Sequence, residues 1–90
     1  MEFEWDERKA ASNFVKHGVD FDVAVRVFGD PFRVTVLSTA KDYGEVRELT
    51  IGTVDGVEIL TVVHTDRNGI TRIISARPAS HSEREKYHGK

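Results

Sequence analysis

Cysteine is absent from this 90-residue chain. That removes disulfides, thiolate nucleophiles and cysteine-based zinc sites together. No apolar run approaches the ~20 residues that span a bilayer. The opening MEFEWDERKAA lacks the basic-then-apolar order of a secretory signal. A cytoplasmic protein without membrane contact is therefore expected. Internal repeats, low-complexity tracts and Pro/Ser-rich linkers are missing, and so are the P-loop and the GxGxxG fingerprint, so no nucleotide cofactor is expected. The four histidines form no i, i+4 pair, no HExxH and no carboxylate cluster with ligand spacing, so no metal site is expected either. Ser75 lacks the G-x-S-x-G elbow of a nucleophilic hydrolase. An overall cationic excess is also missing: 13 Lys/Arg stand against 15 Asp/Glu, for a net charge of −2.

Ninety residues suit one domain over 1–90, because independent cores occupy chains of roughly 50–200 residues. A chain this short buries only about 60–65% of its unfolded surface, so its stability margin is thin and a tight partner would matter. Charge is unevenly distributed. Residues 64–90 carry six Lys/Arg against three Asp/Glu, which points to an anionic ligand, or equally to a solvated face.

Asp6 is placed to cap a helix that runs through Ala10, Phe14 and Val15 and stops at Gly18. Asp20 caps a second, short helix whose Phe21, Ala24, Val25 and Phe28 fall at i, i+3, i+4 and i+7, ended by Gly29-Asp30-Pro31. From there β-branched residues alternate with polar ones. Four strands are expected at Phe32–Leu37, Val46–Thr53, Val57–Thr65 and Ile70–Arg77. Asp55-Gly56 and Asn68-Gly69 suit the positive φ angles of tight hairpins. Ser80 and Glu83 form a capping box for a third helix that reaches about Tyr87. The order is ααββββα: an α+β fold with a four-stranded antiparallel sheet packed with three helices. Simple alternation puts Ile73, Ser75 and Arg77 on one face of the last strand and Arg72, Ile74 and Ala76 on the other. In the third strand Ile59, Thr61, Val63 and Thr65 oppose Leu60, Val62 and His64.

Several short motifs recur in order along this chain. Phe3-Glu4-Trp5-Asp6, Lys9, Asn13, Lys16-His17-Gly18-Val19 with Phe21, and Val27-Phe28-x-Asp30-Pro31 occupy the first half. Arg47 before Leu49 and Gly52, Val62-Val63-His64-Thr65, Arg72-Ile73-Ile74-Ser75-Ala76-Arg77, and Glu83-Arg84 with Tyr87 occupy the second. Together the chain resembles the BrnT family. The resemblance implies a RelE-like ribonuclease toxin of a type II toxin-antitoxin system, which cuts RNA and stops translation. It also implies a BrnA-type ribbon-helix-helix antitoxin that neutralises the toxin and contacts operator DNA. One position departs from the family pattern: the residue after Arg77 is commonly basic or small in relatives and is Pro78 here, expected to stiffen the junction into the last helix and to re-aim Arg77.

RNA cleavage by internal attack needs a proton taken from the 2′-hydroxyl, negative charge stabilised on phosphorus, and a proton given to the departing 5′-oxygen. Arginine suits the second task, since its planar fork donates two parallel hydrogen bonds and stays charged. Arg47, Arg72 and Arg77 are the expected phosphate group; the competing reading pairs them with carboxylates at strand edges. His17 is the candidate acid, base or RNA contact, although a cation at a helix end is also explained by the exposed carbonyls there. Lys16, His64, Arg67, Arg84 and Tyr87 are candidate RNA contacts, with His64 open to a purely packed role. Trp5 is expected to serve the core rather than to stack on a base. The enzyme expected is a metal-independent endoribonuclease. The alternative is a module that binds nucleic acid or a protein partner without turnover.

Overall fold

The computed structural model describes residues 1–38 and 46–89. Strand β1 (Glu2–Glu4) leads into helix α1 (Glu7–His17). Helix α2 (Phe21–Ala24) continues directly as a 3₁₀ segment, Val25–Gly29. Strands β2 (Val34–Leu37), β3 (Glu48–Val54), β4 (Glu58–Arg67) and β5 (Ile70–Pro78) follow, and helix α3 (His81–His88) closes the order.

Local chemistry accounts for most of these boundaries. The Asp6 side chain accepts from the backbone of Arg8 and Lys9, and Gly18 ends α1 at φ 72°. Both hairpins turn through paired positive φ values, 56° and 70° at Asp55-Gly56 and 55° and 83° at Asn68-Gly69; the second is a two-residue type I′ connection with Arg67 opposite Ile70, whereas in the first Val54 stands opposite Glu58 and Val57 is added to the loop. At α3 the capping box is complete in both directions. Asp20 precedes α2 without a side-chain cap bond. The tighter 3₁₀ period changes which side chains turn inward: Phe21, Ala24 and Val27, three apart, are buried, while Val25 and Phe28 are only partly so.

Among the described residues the sheet has five strands, ordered β1-β5-β4-β3-β2, which corrects the expected four. The extra strand is β1, three residues long and parallel to β5, with Phe3 abreast of Thr71 and Glu4 abreast of Arg72. It is too short to produce a period, and its partner lies almost seventy residues away. The sheet is therefore mixed rather than wholly antiparallel.

Cross-strand partners share a face. Thr50, Gly52, Leu60, Val62, His64, Ile73 and Ala76 form the face covered by Phe21, Ala24, Val27 and Phe28. The face is closely packed at Gly52, where a Cβ would meet Val27 Cγ1 at 3.0 Å and Asp30 Oδ2 at 3.2 Å and those side chains would have to give by a few tenths of an ångström. Ile51, Thr61, Val63, Thr65 and Ser75 belong to the other face, which α3 covers in part through Glu83.

The pairing of β4 with β5 shifts register between Val63 and His64: Val63 is opposite Ser75 and His64 is opposite Ile73, so Ile74 is a bulge. Simple alternation fails here. Arg72, Ser75 and Arg77 share one face, and Ile73 and Ala76 the other.

Candidate functional site

The bulge gathers charge. Without it Arg72 and Arg77, five residues apart, would point to opposite faces; with it both stand on the face of Thr61 and Thr65. Alternation back from Glu48, which is opposite His64, puts Arg47 on this same face, abreast of Thr65. Arg67, two residues beyond Thr65, lies there too, exposed at the hairpin end. Arg47, just ahead of β3, thus falls in line with the Thr65–Arg72 pair of β4 and β5. Arg77 sits in the row of Thr61, four residues away along β4, or roughly 13 Å.

The two rows differ electrostatically. Arg77 makes a bidentate pair with Glu83, at 2.7 and 2.8 Å. Glu83 also accepts from Ser80 N at 2.8 Å and Thr61 Oγ1 at 2.9 Å. The Arg77 hydrogen bonds, opposed by burial and helped by Ser80 and Thr61, hold the Glu83 carboxyl at about 2, and Glu83 in turn raises the pKa of Arg77. Arg77 is thereby a tether for α3, and Glu83 does more than cap. Arg72 meets Glu4 at a single 3.3 Å contact between partly exposed groups, a pairing weak enough for an incoming anion to displace. Arg47 is half-buried, with its Nε out of contact with solvent.

Beside β5 lies a groove of about 310 Å³, walled by Arg8, Lys9, Ser12, Lys16 and His17 of α1, with Ile74 and Ser75 across from them. Asn13 fixes the helix there. Its Nδ2 donates to Ala76 O at 2.8 Å and to Val19 O at 3.1 Å, while its Oδ1 accepts from Ala76 N at 3.1 Å. The side chain thus pairs with the β5 edge where the short β1 has ended.

The remaining candidates lie elsewhere. His64 is 6% exposed on the covered face, with Nε2 2.7 Å from Thr50 Oγ1 and its ring edge-on to Phe28 at 5.0 Å. Burial lowers its pKa against the opposing pull of Glu48. The geometry matches the packed role rather than an RNA contact. Tyr87 donates to Asp30 Oδ2 at 2.6 Å, which raises the phenol pKa. Burial works to raise the Asp30 carboxyl, but donors from Tyr87, Thr53 and Phe32 prevail and hold it at about 2. Arg84 borders a cleft with Val57, Glu58 and Pro78, by the β3–β4 hairpin and away from the α1 groove. Trp5 packs edge-on to Phe21 at 5.8 Å.

Arg8, Lys9 and Ser12 were not among the sequence candidates. The signal was present as two i, i+4 ladders, Arg8-Ser12-Lys16 and Lys9-Asn13-His17, which put these side chains along one side of α1.

A family model described as "Ribonuclease toxin, BrnT, of type II toxin-antitoxin system" matches residues 5–83. Among solved structures the chain is similar to the Brucella abortus ribonuclease toxin BrnT, with 27% identity and a TM-score of 0.67 over 90% of this chain and 99% of that one. No curated protein matches it.

Proposed function

Since the chain belongs to the BrnT family, the ribonuclease toxins of type II toxin-antitoxin systems, we propose that it cuts RNA without a metal ion, on the arginine-bearing face of its sheet. The carrying observation is the bulge at Ile74, which turns Arg72 to the side occupied by Arg47 and Arg77. In this reading Arg47 and Arg72 hold the scissile phosphate and neutralise the charge that grows on it. The 2′-oxygen attacks phosphorus and the bond to the 5′-oxygen breaks, leaving a cyclic phosphate and a 5′-hydroxyl. His17 is the acid or base that moves a proton, and Lys16 and Arg67 are contacts to flanking phosphates. Arg77 acts indirectly by tethering α3 through Glu83, and the last strand keeps its arginine in that pair despite Pro78.

By the kinship with RelE-type toxins that the sequence implies, the cellular consequence is arrest of translation. A BrnA-like ribbon-helix-helix antitoxin neutralises the toxin, and operator DNA is reached only through that partner.

The test is labelled RNA incubated with purified protein in EDTA, wild type beside Arg47→Ala and Arg72→Ala. Cleavage should persist in the chelator and fall about 10²–10³-fold in each variant, the usual cost of one charge-stabilising donor. Cleavage abolished by EDTA and restored by magnesium overturns the metal-independent reading. Full activity in both variants overturns the assignment of the arginines.

A further inference from the structure

We propose that the groove between α1 and β5 is a phosphate-binding track that carries single-stranded RNA next to the scissile phosphate, with Arg8 and Lys9 as cationic contacts beyond the Lys16 and His17 of the ribonuclease reading. The inference rests on the ribonuclease reading and adds to it two contacts, Arg8 and Lys9, for the RNA that flanks the scissile phosphate.

Three observations converge on it. First, the wall of the groove is built by helical spacing: Arg8, Ser12 and Lys16 follow one another at four-residue steps, with Lys9 and His17 on the adjacent ladder around the anchoring Asn13. The buried Asn13 amide fixes this helix to the backbone of Ala76, so the cations stand on a rigid support. Second, these charges are unspent. Arg26 is paired with Asp55, Arg72 with Glu4 and Arg77 with Glu83, whereas no ion pair engages Arg8, Lys9 or Lys16 among the described residues. Arg8 and Lys9 also stand in the first turn of α1, where the helix dipole favours anions and disfavours cations. Neither local structure nor pairing accounts for them; a polyanion does.

Third, the groove opens toward the arginines. Its far side is Ile74 and Ser75, and the bulge sets Ser75 between Arg72 and Arg77 on the same face. A strand held at Arg72 and leaving along β5 passes directly into it. At about 310 Å³ the groove is at the small end of ligand sites, the scale of one nucleotide rather than a duplex. The hydroxyls of Ser12 and Ser75 face a ribose or phosphate there, and the half-buried Ile74 offers an apolar surface to a base. The other α1 side, with Phe14 50% and Val15 87% exposed, carries no such charge.

The probe is a fluorescent single-stranded oligoribonucleotide with 2′-O-methyl groups, which cannot undergo internal attack, titrated by anisotropy over a range of potassium chloride concentrations. Arg8→Gln/Lys9→Gln is compared with wild type and with Arg26→Gln/Lys86→Gln, which removes the same charge elsewhere. Each phosphate contact adds about 0.7 to the slope of log K against log salt for single strands. The groove variant should therefore have a slope shallower by about 1.4, and the control should keep the wild-type slope. An unchanged slope in the groove variant, or an equal loss in the control, overturns the track. A wild type that neither binds the probe nor cuts unmodified RNA defeats the ribonuclease reading itself. Cleaving wild type with unaltered groove-variant binding defeats the track alone.

Discussion

Glu83 concentrates more bonds than any other ionised side chain of the last helix, accepting from Arg77, Ser80 and Thr61. Glu83→Gln keeps the shape and loses the charge, and should cost about 2–3 kcal/mol, since hydrogen bonds to charged groups contribute about 1.5–3; urea denaturation at pH 7 measures it. The acid dependence follows from the same group. Its folded pKa, about 2, lies below the ordinary 4.5, so its stabilisation is complete above pH 4.5 and drains away as pH falls toward 2. Asp30 behaves alike below 3.8. His64 opens an earlier window: its pKa is depressed from 6.5 by burial, so its contribution is whole above pH 6.5 and declines below it. Melting temperature should therefore fall in two stages on acidification, with the lower stage reduced in Glu83→Gln. A wild-type curve that is flat from pH 6.5 to 3 refutes both assignments.

Among elements, α1 shows how a side chain can finish a sheet. The β5 edge at Ala76 would be bare beyond the three residues of β1, and Asn13 supplies both a donor and an acceptor in place of a further strand. Asn13→Ala leaves the buried Ala76 N–H and C=O unpaired, and should destabilise by about 2–6 kcal/mol, at 1–3 for each orphaned group; a drop in the urea midpoint at constant m-value reports it. The elements governed by neighbours in sequence were readable in advance. The caps at Asp6, Gly18 and Ser80 and both glycine hairpins depend on two to four adjacent residues, and they stand where the residue chemistry puts them. What depends on distant partners was not readable. β1 exists only because β5 accepts it, and the bulge at Ile74 is a property of the β4–β5 ladder that no alternation within β5 reveals. The candidate site divided in the same way. His17 and Lys16 were candidates from their motif and stand on one wall of the groove, whereas Glu83 could not be seen as the partner of Arg77 without the fold.

The described residues span 31 × 25 × 24 Å, and no described helix is long and apolar enough to cross a membrane. So small a body has a thin margin of stability, and a partner that binds only the folded state deepens it by mass action. Free antitoxin at one hundred times its dissociation constant should stabilise the toxin by about 2.7 kcal/mol, read as a rise in melting temperature on titration; no rise would mean that the partner does not discriminate folded from unfolded chain. The covered sheet face holds the core and the opposite face holds the arginines, a division of labour that depends on one residue. Ile74 makes the interval between Arg72 and Arg77 odd along the chain and even in space. A relative without that insertion must move one of its two cations by a single position to keep both on the same side. Counting the residues between them therefore sorts homologues by whether the kink is retained, before any of their folds has been determined.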